Sequence, residues 1–179
     1  MRIEETALAG VVIVQPDVHR DDRGFLLEAY SKERYDAHRA FGRDFVQDNH
    51  SRSRRGVLRG LHFQETEPQG KLVRIARGRV FDVAVDIDPT SPTFRQHVGV
   101  YLDDTDHRQL FIPPGYAHGF CVLSDVADFE YKCTAYYRPG DSRGVLWNDP
   151  AIGIDWPVRD PIVSAADRVN PTLDEYLSK

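Results

Sequence analysis

Residue types able to move protons cluster first in Arg59-Gly60-Leu61-His62-Phe63-Gln64. The run reads as a strand, and alternation puts Leu58, Gly60, His62 and Gln64 on one face and Arg59, Leu61 and Phe63 on the other. A face of glycine, histidine and glutamine is too polar for plain core and fits the lining of a cavity. His62 is then either a structural histidine with satisfied nitrogens or a working base; a lone strand histidine, without context, favours the first. Alternation aims Arg59 away from His62, unless Gly60 hosts a bulge that redirects it.

His118 lies in Ile112-Pro113-Pro114-Gly115-Tyr116-Ala117-His118-Gly119-Phe120. A Pro-x-Gly-x-x-His turn entering a strand resembles the second motif of cupins, where the histidine joins first-motif ligands on a metal. Here Gln64 stands where a second ligand histidine belongs, and Glu67 lies in a loop beside Pro68. Glutamine is a poor ligand for transition metals, so no metal is expected. The plain alternative for His118 is a turn histidine with no ligand. Lys71 shares a strand face with Val73 and Ile75; an inward ammonium requires an anion, and otherwise the side chain snorkels to water. Tyr131 shares its face with Phe129 and Cys133, the pattern of a core aromatic with a satisfied hydroxyl. Tyr136 and Tyr137 either stack a base at a pocket mouth or simply pack. Arg52, Arg54, Arg55 and Arg59 form a local basic group. On a chain of net charge -5 this suits a small anion such as a diphosphate better than nucleic acid, with a solvated turn as the alternative for 52–55.

The elements that must position these groups are short strands broken by Gly, Pro and Asp turns. Strands are expected over 11–14, 24–30, 57–64, 71–76, 79–86, 94–102, 109–112, 120–123, 127–137 and 144–147. One clear helix is expected over 32–41, with Ser31 as its N-cap and Gly42 closing it, and 173–177 suits a helical turn or two. Phe81, Val83 and Val85 share one strand face, and Asp82 and Asp86 the other. Many strands without alternating long helices predict an all-β jelly-roll sandwich or barrel in one domain, 1–179. The 179 residues, 41% hydrophobic and 28% charged, suffice for a core and contain no membrane-length apolar run. Two isolated cysteines, Cys121 and Cys133, and an N-terminus without an apolar leader pattern point to the cytoplasm.

Taken in order, many segments resemble the dTDP-4-dehydrorhamnose 3,5-epimerase family. They are Asp22-Arg23-Gly24-Phe25, Gln47-Asp48-Asn49-His50-Ser51, Gly56 through Gln64, Lys71-Leu72-Val73-Arg74, Gly78-Arg79-Val80-Phe81-Asp82-Val83, and Ser91-Pro92-Thr93-Phe94. Ile112 through Phe120, Tyr131-Lys132-Cys133-Thr134, Trp147-Asn148-Asp149-Pro150 and Ile154-Asp155-Trp156-Pro157 complete the set. The resemblance implies a metal-free cupin jelly-roll that acts as a homodimer, needs no cofactor, and inverts C3 and C5 of a 4-keto-6-deoxyhexose carried on dTDP, toward dTDP-L-rhamnose for surface polysaccharide. It implies His62 as base, Asp167 as the carboxylate orienting it, Tyr131 as acid and Lys71 as enolate partner. Arg23, Arg59 and His118 are implied as anion and sugar contacts, Gln47 and Asn49 as a polar pair along the pocket, and Glu28 and Tyr137 as thymine contacts. The chain departs from the family at Ser142, near which an acidic residue is common, and at Ala166, where a lysine is common. Both bear on substrate choice, and relatives that invert one centre share the core residues. Two other readings are a metal-dependent cupin enzyme using His62 and His118, and a nucleotide-sugar-binding module without activity.

Overall fold

The computed structural model describes residues 1–178. Thirteen strands run in chain order: β1 (Arg2–Glu5), β2 (Val12–Gln15), β3 (Val18–Asp21), β4 (Gly24–Leu27), β5 (Gln47–Arg54), β6 (Leu58–Gln64), β7 (Lys71–Arg77), β8 (Arg79–Asp86), β9 (His97–Asp103), β10 (Gln109–Ile112), β11 (Tyr116–Val122), β12 (Val126–Cys133) and β13 (Ser142–Gly144). Three short helices interrupt them: α1 (Lys32–Asp36), α2 (Ala165–Arg168) and α3 (Leu173–Leu177). A six-stranded sheet, ordered β1-β2-β10-β7-β12-β5, faces a five-stranded sheet, ordered β13-β6-β11-β8-β9, and β3 and β4 form a separate hairpin. Every ladder is antiparallel. This is the expected jelly-roll sandwich.

Apolar burial follows strand alternation and stacks in three layers. Between the sheets, Val73, Ile75, Val80, Ala84, Leu110, Phe120 and Phe129 form the central core, with the Phe120 and Phe129 rings stacked at 3.9 Å. Behind the five-stranded sheet, Leu61, Val83, Val85 and Cys121 pack against Ile152, Trp156 and Leu173 from the C-terminal part. Behind the six-stranded sheet, Val12, Val14, Leu72 and Phe111 pack against Tyr35 and Phe41. Because β8 is covered on both faces, Asp82 and Asp86 are buried as well as the hydrophobics beside them.

Several element boundaries differ from expectation. The expected helix over 32–41 stops at Asp36 and resumes as a 3-10 turn, Arg39–Phe41. Six helical residues separate Tyr35 from Phe41 by about 240° around an axis, so the break lets both rings meet the sheet. Ser31 makes no side-chain cap. The strand expected to reach Tyr30 ends at Leu27, and the Ala29 carbonyl is taken by the side chains of Tyr35 and Gln109 instead of a ladder. Residues 94–96 form turns before β9, with Arg95 at φ 68°. His118 sits inside a strand that begins at Tyr116, rather than in the preceding turn. The strand expected over 127–137 ends at Cys133, where Thr134 and Gly70 exchange hydrogen bonds. The strand expected over 144–147 is three residues ending at Gly144. α3 forms as expected, with a Thr172–Glu175 capping box. Arg52 and Arg54 lie on β5, whereas Arg55 turns out to pair with Asp125.

Candidate active site

A cavity of about 660 Å3 opens between the sheets, lined from the five-stranded side by Arg59, His62, Gln64 and His118 and from the six-stranded side by Lys71, Phe129 and Tyr131. Asp167, Ala166, Ser142 and Tyr137 lie on its rim and walls. Gly60 decides that Arg59 joins His62 there. It has φ +140°, a Cβ in its place would lie 2.6 Å from the Gly119 Cα, and the β6–β11 register shifts between His118 and Phe120. Alternation breaks at the one residue able to adopt that backbone at that distance. Arg59 Nε then donates to Ser53 Oγ at 3.1 Å.

His62 Nε2 lies 2.6 Å from Asp167 Oδ1. A carboxylate only accepts, so Nε2 carries the hydrogen and Nδ1 keeps the lone pair. His62 is half-exposed to the cavity, whereas Asp167 is buried. Burial resists ionisation of Asp167, but the hydrogen bond and charge of His62, the Gly60 amide and Ser164 outweigh it and hold the carboxyl below its usual range. Ser164 caps α2 by accepting from the Asp167 amide at 3.0 Å, which fixes the carboxylate's position.

His118 pairs directly with His62 in register and is itself buried. Its Nε2 donates to both oxygens of the fully buried Asp82, at 3.0 Å each. Burial pushes its pKa down, and the charges of Lys71 and His62 act in the same direction against Asp82. On the opposite wall, burial chiefly raises the Tyr131 phenol, aided by Cys133 and Tyr137 and opposed by Arg59. Burial lowers the Lys71 pKa against the pull of Cys133 and Asp82.

The implied sugar contacts divide. Gln47 Nε2 donates to Asn49 Oδ1, and Asn49 donates to Cys133 Sγ at 3.5 Å. Asn49 and Glu28 line an adjoining cavity of about 620 Å3, with Tyr131 between the two spaces. Tyr137 is held by its amide donating to Gln47 Oε1 at 2.8 Å. Arg23 reaches neither cavity: it is on the β3–β4 hairpin, 90% exposed and paired with Asp21. Gln64 is a clamp, donating to the carbonyls of Glu67 and Tyr136 and accepting from the Arg138 amide. Glu67 pairs with Arg138 at the surface, and among the described residues no three His, Cys, Asp or Glu gather as a metal site.

A family model for dTDP-4-dehydrorhamnose 3,5-epimerase matches residues 5–175. The chain belongs to the dTDP-4-dehydrorhamnose 3,5-epimerase family. It is an isomerase of the epimerase type. The dTDP-4-dehydrorhamnose 3,5-epimerase of Salmonella typhimurium is 52% identical over 181 residues, covering 99% of this chain and 98% of that protein. The Legionella pneumophila dTDP-6-deoxy-D-glucose-3,5-epimerase, solved with dTDP-4-keto-L-rhamnose, superposes at TM-score 0.94 with 46% identity, covering 97% of this chain and 93% of its own. ChmJ, a 3'-monoepimerase of Streptomyces bikiniensis solved with dTDP-quinovose, superposes at 0.90 with 34% identity, covering 97% and 89%. Around this epimerase-family cavity, the sequence reading gave no site role to Asp82, Ser53 or Ser164. Asp82 carried a signal, an acid alternating with Val80 and Ala84 in a strand apolar on both faces; single serines in polar surroundings carry none.

Proposed function

We propose that the chain epimerises dTDP-4-dehydro-6-deoxy-D-glucose at C3 and C5 to dTDP-4-dehydro-L-rhamnose, without metal or organic cofactor. The observation that carries this is a base dyad on one sheet facing a phenol on the other across a single cavity. Inversion at a carbon needs a proton removed from one face and returned to the other, which opposite walls supply. The C4 ketone acidifies the hydrogens on C3 and C5. His62 Nδ1 takes one, the C–H electrons move to the C4 oxygen, and the Lys71 ammonium meets the enolate. One preorganised donor of that kind contributes about 3 kcal/mol in the transition state. Tyr131, whose phenol keeps its proton at neutral pH, protonates the carbon from the opposite side. Solvent exchange restores the tyrosine proton and the neutral imidazole before the second centre reacts.

In this reading Arg59 and His118 bind diphosphate and sugar, Gln47 and Asn49 bind along the pocket, and Tyr137 stacks on thymine. Arg23 comes from the hairpin of a second copy, since within one chain it stands clear of the cavity and Phe25 and Leu26 of that hairpin are 54% and 73% exposed, and Glu28 meets thymine. The working unit is thus a homodimer of single-domain chains, 1–179, acting in the cytoplasm. Among the described residues no helix is long and apolar enough to cross a membrane, and both cysteines are free and buried.

Turnover in deuterium oxide tests the reaction: deuterium is expected at both C3 and C5. Label at C3 alone would make the chain a monoepimerase, the reading favoured by its likeness to ChmJ. Tight dTDP binding with no exchange would leave a binding module, and exchange abolished by a chelator and restored by metal would leave a metal-dependent cupin enzyme.

A further inference from the structure

Asp82 has no task in the reaction proposed above, and it meets the cavity only through His118. It is fully buried on β8, and both of its oxygens face the single donor His118 Nε2. A carboxylate in such a place requires a compensating positive charge. His118 supplies a hydrogen bond rather than that charge, because its burial and the neighbouring Lys71 and His62 all favour the neutral ring. The cation that acts on Asp82 is Lys71, across the sandwich on β7, since Arg59 on β6 is directed to Ser53. Its side chain lines the same cavity as His118, forms no hydrogen bond or ion pair among the described residues, and lies within electrostatic reach of Asp82. The other titratable groups lining this space are Tyr131 on β12, Tyr137, Arg59 and His62 on β6, and Asp167, already engaged with His62, while the buried Cys133 on β12 lies in register with Lys71.

We infer that Asp82 is a positioning residue that supplies, from the opposite sheet, the counter-charge holding Lys71 as an ammonium in the cavity, with His118 between them as a neutral donor. The inference rests on the proposed epimerisation, which needs a cation where the C4 oxygen becomes an enolate. Removing the carboxylate takes away that counter-charge, so the ammonium gives up its proton at lower pH.

Lys32, Lys71, Lys132 and Lys179 are the chain's lysines, few enough for NMR titration of protein labelled with carbon-13 at lysine Cε, with Lys71→Met assigning the signal. In ligand-free wild type Lys71 is expected to remain charged through pH 7. In Asp82→Asn its midpoint is expected to fall by at least about one pH unit. The alkaline limb of kcat/KM should move with it, kcat should fall about tenfold or more at pH 8, and dTDP affinity should hold. His118→Gln, which keeps Asp82, should leave the Lys71 midpoint in place. A neutral Lys71 at pH 7 in wild type overturns the inference, even if Asp82→Asn does not fold. So does an unmoved midpoint in Asp82→Asn accompanied by a lower Tm, which is the mark of a purely structural residue, or an equal fall in His118→Gln. The titration needs no turnover, so its failure is distinct from failure of the epimerase reading, which deuterium incorporation decides.

Discussion

His62 and Asp167 are 105 residues apart in the chain and 2.6 Å apart in the fold. If the dyad is the base, His62→Ala should abolish solvent exchange at both carbons while dTDP affinity measured by calorimetry stays within a few-fold; exchange at near wild-type rate would remove His62 from that role. Asp167→Asn keeps the shape but lets the ring present the wrong tautomer, and kcat should fall about 10²–10⁴-fold with little change in KM. The carboxyl of Asp167 is held below its usual range, so its ionised pairing is present above about pH 4 and is lost as pH falls through the lower folded value. Histidine in a polar strand face was visible from residue order alone. Asp167 was not: its helix is four residues long and carries no periodic pattern, so only the family resemblance singled it out. Strict alternation aims Arg59 away from His62, and the bulge at Gly60 that the sequence left open is what brings it into the cavity.

At the level of elements, β5 shows why strand prediction failed where it did. Its outward residues face β12 as directly opposed polar and charged partners: Asp48 with Lys132 at 2.8 Å, His50 with Glu130 at 3.9 Å, and Arg52 with Asp128 at 2.6 Å. Its inward residues, Gln47, Asn49 and Ser51, are polar as well, so no hydrophobic alternation marks it. The Arg52 hydrogen bond holds the Asp128 carboxyl down to about 2 against the cost of burial, with His50 assisting. A depressed acid stabilises the fold above its unfolded value of about 4 and loses that contribution as pH drops toward 2. Asp128→Asn should therefore lower Tm at neutral pH and flatten the acid limb of stability between those values; a Tm–pH curve parallel to wild type would show the pair to be idle. Gly60→Ala forces a Cβ against Gly119 at an unfavourable φ. It should cost about 3 kcal/mol in denaturant unfolding, and activity should fall further than stability because Arg59 loses its aim.

Across the whole molecule, the two-sheet sandwich was legible because β7, β8, β10 and β11 carry apolar residues at nearly every position or every second one. The outer layers were less so: the C-terminal part that covers Leu61 and Val83 is irregular, and Trp156 and Ile152 reach the core from loops. The proposed homodimer would use the exposed β3–β4 hairpin as a part lent to the second copy. Leu26→Asp should yield a folded chain that sediments as a monomer, melts lower than the dimer and has lost most activity; an active dimer would count against that exchange. The Gln64 clamp adds a constraint of length. Tyr137 is tethered on one flank to β5 through Gln47 and on the other to β6 through Gln64, two residues from His62. If Tyr137 grips thymine and His62 removes the proton, as proposed, the two rings are fixed marks on a ruler, and the linker between nucleoside and sugar is what is being measured. A monophosphate-linked sugar should occupy the thymine end yet hold its ketone short of His62, protecting the enzyme thermally without exchanging a single deuteron.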